Sequence, residues 1–132
     1  MNFPHSSYVA CGSRNSWVVL ERGTEGANGN AGAMAPGRLG TLLDQIIADS
    51  PDALLVVAQI VPLRGRNTQI ETFNATIPAM VTMRANMGRH VVLVDQYTGF
   101  PDSELADGVH PSPAGYARMA GVWYRAISSY LR

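Results

Sequence analysis

The segment DGVHPSPAGYARMAGVWYRAI, residues 107–127, sets an aspartate three positions before a histidine. An imidazole becomes a useful general base when a carboxylate accepts a hydrogen bond from its Nδ1–H, fixes the tautomer and stabilises the imidazolium that forms. In most hydrolases that acid comes from a distant part of the chain. A spacing of three works where a tight turn folds Asp107 back under the ring of His110, and Gly108 supplies the freedom for such a turn. Pro111 stiffens the exit. Ser112 and Pro113 are the residue types of a helix N-cap and a first helical position. By spacing alone, two ordinary polar loop residues ahead of a capped helix would read the same way. Ester hydrolysis through this pair needs a hydroxyl to attack, forming an acyl-enzyme that water releases. It needs no metal and no organic cofactor.

The pair must be positioned by regular elements, and the apolar pattern supplies them in alternation. WVVLERGT (17–24) reads as a short buried strand ending in a Gly turn, and GANGNAGAMAPG (26–37) as a loop. Pro36 then fits a first helical position, with Leu39, Leu42, Leu43, Ile46 and Ile47 on one face and an end near Ser50-Pro51. ALLVVAQIV (53–61) is a continuous apolar run, as expected of a strand covered on both faces. Ile70, Phe73, Ile77, Met80 and Val81 form a second helical stripe, in which Pro78 predicts a kink or a broken turn, with Gly88 as its cap. HVVLVD (90–95) is another buried strand. The last helix starts at Ser112, with Tyr116, Met119, Ala120, Trp123 and Ile127 facing inward.

Strand–helix alternation of this kind predicts one three-layer α/β/α domain with a mostly parallel sheet. Ligands of such sheets bind beyond the carboxyl ends of the strands. Three loops converge there: GTEGANGN, PLRGRN and the one carrying Asp107 and His110. YVAC (8–11) either pairs antiparallel with WVVL as a hairpin or pairs elsewhere, in another copy of the chain. In the hairpin, Ser13 sits at the turn, on the edge away from His110. Ser6 and Ser7 then share the edge of GTEG and His110, as does Thr24.

Composition narrows the function. The 132 residues are 46% hydrophobic and 15% charged, enough for one real core. Net charge is zero, so nothing points to nucleic acid or an anionic membrane surface. The single Cys11 excludes an internal disulfide, and no run is long and apolar enough to span a bilayer. MNFPHSSYVACGSRN lacks the basic start and apolar run of a signal peptide.

The DGVHPSPAGYARMAGVWYRAI block closely resembles the last block of the SGNH-hydrolase superfamily, the GDSL-type esterases. APGRLGTLLDQI, LLVVAQIVPL, FNATIPAMV and HVVLVD, in that order, resemble its carbohydrate-acetylesterase branch. The resemblance implies a truncated SGNH (flavodoxin-like) fold, a secreted ancestor, and a serine esterase acting on short acyl esters or acetylated carbohydrate. It makes His110 the general base and Asp107 its orienting acid. The family's Gly-Asp-Ser nucleophile block has no counterpart, and the chain is expected to start just before the family's third strand. The family's Gly-x-Asn-Asp block falls on Gly23-Thr24-Glu25-Gly26, which puts Glu25 where an oxyanion-binding asparagine is expected. An ionised carboxylate donates no hydrogen bond to an oxyanion.

The replacement nucleophile is thus sought among Ser7, with the best location, Ser13, with the best local resemblance, and a serine of another copy. Asn28 or Asn30 would serve as oxyanion donor, although turn chemistry also accounts for both. A stripped sheet edge predicts a homo-oligomer with exchanged segments. The competing expectation is a non-catalytic remnant or carbohydrate-binding fragment, from a truncated or frameshifted gene.

Overall fold

The computed structural model describes residues 6–10, 16–21 and 30–131, with side chains from residue 32 onward. Among them four strands form one sheet: β1 Ser6–Ala10, β2 Ser16–Glu21, β3 Leu54–Ala58 and β4 Val91–Val94, adjacent in that order. β2, β3 and β4 are parallel, with Val19 beside Val57 and Val57 beside Leu93. β1 runs antiparallel to β2, pairing Ser7 with Leu20 and Ala10 with Trp17. Of the two pairings open to YVAC, the hairpin is the one formed.

Helix α1 (Asn30–Asp49) joins β2 to β3, α2 (Thr68–Asn86) joins β3 to β4, and α3 (Pro113–Ile127) follows β4. The order β2-β3-β4 advances in one direction, so right-handed crossovers put α1 and α2 on the same face. Leu39 and Leu43 from α1, and Phe73, Ile77 and Val81 from α2, bury Leu55, Val57 and Val91 there. α3 covers the opposite face, where Val122, Trp123, Ala126 and Ile127 pack on Val56, Ala58 and Val94. Successive residues of β3 alternate between the two cores, which is why its sequence is apolar throughout. Three layers and a mostly parallel sheet are what the alternation of elements predicts.

Three local expectations are revised. α1 begins at Asn30, so Pro36 lies inside it rather than at its start. Alanine and methionine in AGAMA favour helix strongly enough to carry it upstream of the proline. α2 runs without a break through Pro78. The helical donor that Pro78 lacks would have served the carbonyl of Asn74, and the Gln59 side chain donates to that carbonyl instead, at 3.3 Å. On α3, Tyr116 and Ala120 are exposed, and Val122 and Ala126 pack inward in their place. The buried stripe is rotated because Gly115, not Tyr116, is the contact point: a Cβ at Gly115 would lie 2.5 Å from the Glu104 carbonyl oxygen.

Buried polar groups tie these layers together. The Arg84 guanidinium on α2 donates to Asp44 at 2.8 Å and to the Gly40 carbonyl at 3.0 Å, both on α1. α2 closes with a Schellman motif: Gly88, at φ +79°, donates to Ala85 and Arg89 donates to Arg84.

Candidate active site

After β4 the chain passes through a short 3₁₀ turn, Asp102–Glu104, into a narrow loop that returns on itself. Ala106 N–H donates to the His110 carbonyl at 2.8 Å and Ser112 N–H to the Glu104 carbonyl at 2.7 Å. A bridge between Leu105 and Pro111 closes the neck. Ser112 caps α3 by accepting from Gly115 N–H at 3.3 Å, with Pro113 first in the helix. Arg118 on α3 grips Glu104 through two bonds of 2.6 and 2.8 Å. That pairing holds the Glu104 carboxyl below its ordinary range.

Inside the neck, Gly108 takes φ +88°, a conformation that favours glycine. The chain then folds Asp107 back onto the next residues. Its Oδ1 accepts from Val109 N–H at 2.9 Å and from His110 N–H at 2.7 Å. Its Oδ2 lies 2.7 Å from His110 Nδ1. The His110 amide, then its ring, then the Val109 amide hold the Asp107 carboxyl well below the usual carboxylate range. An ionised carboxylate only accepts, so the proton between the two side chains sits on Nδ1. A neutral His110 in this turn carries its lone pair on Nε2. The side chains are 65% and 57% exposed for His110 and Asp107, so the ring is open to solvent rather than packed in a core. Among the described residues, Asp107 is the one hydrogen-bond partner of that ring.

The loop leans on the loop after β3. Arg64 N–H donates to the Gly108 carbonyl at 2.9 Å, the Arg64 guanidinium to the Leu105 carbonyl at 3.1 Å, and Gly65 N–H to Asp102 at 3.1 Å. The Asp107–His110 turn is therefore held beside the carboxyl end of β3, although it follows β4 in the chain. That β3 end is fixed from below by Asn74, whose side chain accepts from Ile60 N–H at 2.9 Å and donates to Ile60 C=O at 2.8 Å. Sequence reading placed PLRGRN at this edge but attached no role to Arg64, Asn74 or Glu104. For Asn74 the available signal was a polar residue inside the apolar stripe of α2.

The remaining predicted site residues divide by position. Because β1 is antiparallel, its first residues, Ser6 and Ser7, lie at the carboxyl ends of β2 and β3, the edge that bears the Asp107–His110 turn. Ser13, Thr24, Glu25 and Asn28 fall outside the described residues. The strand ends that flank Ser13, Ala10 and Ser16, are at the opposite edge. Asn30 is the first residue of α1.

No family model matches the chain. Relatives and solved structures do. A protein of Acetivibrio thermocellus named "Putative endoglucanase X" is 33% identical over 98 residues, which cover 71% of this chain and 42% of that protein. A Clostridium thermocellum family 3 carbohydrate esterase of known structure superposes with a TM-score of 0.67 at 28% identity, over 86% of this chain and 55% of its own. The chain has the SGNH-hydrolase fold and is similar to carbohydrate esterases. A carbohydrate esterase of family 3 from Talaromyces cellulolyticus shares the SGNH fold with a TM-score of 0.74 at 24% identity, over 87% of this chain and 56% of its own. The chain spans about half the length of each of these three proteins. No helix among the described residues is long and apolar enough to cross a membrane.

Proposed function

We propose that this chain is a serine-type ester hydrolase acting on short acyl esters or acetylated carbohydrate. The observation that carries the reading is the 2.7 Å contact between Asp107 Oδ2 and His110 Nδ1 on an exposed turn. His110 Nε2 takes the proton of an attacking hydroxyl and later returns it to the leaving alcohol. Asp107 holds the ring and balances the imidazolium charge. Ser7 is the proposed nucleophile, a choice supported by its register opposite Leu20 near the carboxyl end of β2. With strands spaced about 4.8 Å apart, β1 lies roughly 10 Å along the sheet from β3, a span that a serine side chain, a histidine side chain and the hydrogen bond between them can cover. The kinship with carbohydrate esterases supplies the substrate class.

A non-catalytic carbohydrate-binding fragment is the second reading, favoured by Glu25 in the place of an oxyanion-binding asparagine. Hydrolysis of p-nitrophenyl acetate by the pure protein, beside His110→Ala, separates the two. The esterase reading expects the variant to lose the activity, and equal rates would remove it. Labelling with an organophosphonate followed by mass spectrometry is expected to mark Ser7. Association between copies belongs to the same proposal, since Tyr116, Tyr124, Tyr130 and Leu131 leave apolar surface on and after α3. Sedimentation showing a folded monomer at micromolar concentration would exclude it.

A further inference from the structure

We infer that Arg64 is a positioning residue for the His110 base, acting through the backbone of the turn that carries it. The inference rests on the esterase reading for its kinetic consequence, but its structural core stands on the geometry alone. Two consecutive residues of the loop after β3, Arg64 and Gly65, donate to three points along the loop after β4: Gly108, Leu105 and Asp102. Leu105 and Gly108 bracket Asp107 in the chain. The Arg64 guanidinium is the one side chain in this set of donors that a substitution can remove. Its Nη2 holds the Leu105 carbonyl at 3.1 Å. The rest of the side chain lies along Gly108, where an added Cβ would be 3.3 Å from Arg64 Cβ and 3.6 Å from its Nη1.

The loop has few other holds at this height. Its neck is closed by Ala106 to His110 and by Ser112 to Glu104, and its base by the Glu104–Arg118 pair. None of these reaches across to the sheet edge where the β1 serines lie. Arg64 and Gly65 tie residues 102–108 to the loop after β3, whereas Gln59 and Arg66 make their bonds nearer β4, to Val94 and Tyr97. An arginine suits the position because a planar fork can hold a carbonyl at a fixed angle while its stem packs on a glycine backbone. The segment presenting it is itself held in an uncommon conformation: Gly65 and Arg66 have φ +76° and +63°. For a non-glycine residue the left-handed region is uncommon and stores strain where structure elsewhere enforces it. Arg66 is kept there by its N–H bond to Leu63 at 2.9 Å, while its guanidinium reaches the Tyr97 hydroxyl at 3.2 Å.

The test compares Arg64→Ala, Arg64→Lys and His110→Ala with the unchanged chain. Three quantities are read: kcat and KM on p-nitrophenyl acetate, the melting temperature, and the His110 tautomer from its ring nitrogen shifts. Arg64→Ala is expected to lower kcat about tenfold while KM and melting hold, since small displacements of a catalytic group act on the chemical step. It is also expected to mix the Nε2–H tautomer into a ring that is otherwise protonated on Nδ1. Arg64→Lys, which keeps a donor, is expected to recover part of both effects. An unchanged tautomer and an unchanged kcat in Arg64→Ala overturn the inference. So does a kcat loss matched by a melting loss of similar free energy, which marks a merely structural role. Should His110→Ala hydrolyse the ester at the full rate, the esterase reading falls, and the tautomer measurement alone decides whether Arg64 positions the ring.

Discussion

Asn74 of α2 makes with Ile60 the two hydrogen bonds that a neighbouring strand would make. It accepts from the Ile60 N–H at 2.9 Å and donates to the Ile60 carbonyl at 2.8 Å. Ile60 lies two residues past the end of β3, where none of the described strands pairs with it. The amide of a buried helix residue thus extends the strand towards the Arg64 loop, which in turn holds the Asp107–His110 turn. The candidate site hangs on this chain of contacts.

Replacing Asn74 with alanine leaves both backbone groups of Ile60 without their buried partner. Each such group costs free energy when desolvated, so the loss is expected to be about 3 kcal/mol. Thermal melting should fall by on the order of 10 °C. An unchanged melting temperature would mean that water takes over both bonds.

Asp107→Asn should keep the turn, because its Oδ1 still accepts from the two amides, but it no longer compels Nδ1 to carry the proton. Loss of the tautomer and of the charge opposite an imidazolium is expected to lower kcat by about 10³-fold. Steady-state rates against ester concentration measure this, with KM expected to move little.

The turn should resist acid. Asp107 has a lower carboxyl pKa in the folded protein than in the unfolded chain. The stability such a group contributes is complete above its unfolded value, about 3.9, and is lost only as pH falls through the lower folded value. Protonation of the Asp107 carboxyl, read from its own side-chain carboxyl carbon resonance, should therefore come only below about pH 4. Glu104, depressed by Arg118, follows the same sign. An Asp107 carboxyl that gains its proton between pH 6 and 4.5 would contradict the geometry.

Gly115→Ala should act on the site from a distance. The added methyl meets the Glu104 carbonyl at 2.5 Å and the Phe100 ring at 3.1 Å, and a backbone oxygen held by Ser112 N–H cannot swing aside. Overpacking at such a contact is expected to cost about 2 kcal/mol. Because Glu104 anchors the neck of the loop, ester hydrolysis should fall as well. Urea denaturation measures the first effect and initial rates the second.

The sequence by itself determined the layers and one half of the candidate site. Continuous apolar runs and period-3.6 stripes are local properties, so LLVVA, HVVLVD and the helix stripes declared themselves. Asp107 and His110 are three residues apart with a glycine between, so their contact needed only local chain geometry. Helix limits were less legible where propensity outweighed a single proline, as at Pro36. Gln59 from a neighbouring element satisfied the carbonyl left open by Pro78. The inward face of α3 was set by the close approach of Gly115 to Glu104, which a helical wheel cannot show. Only the tertiary structure brought Arg64 onto a loop 41 residues away and Asn74 onto Ile60. Bonds between residues remote in sequence depend on how strands are ordered and which loops meet at one edge, and neither spacing nor residue type encodes that meeting locally.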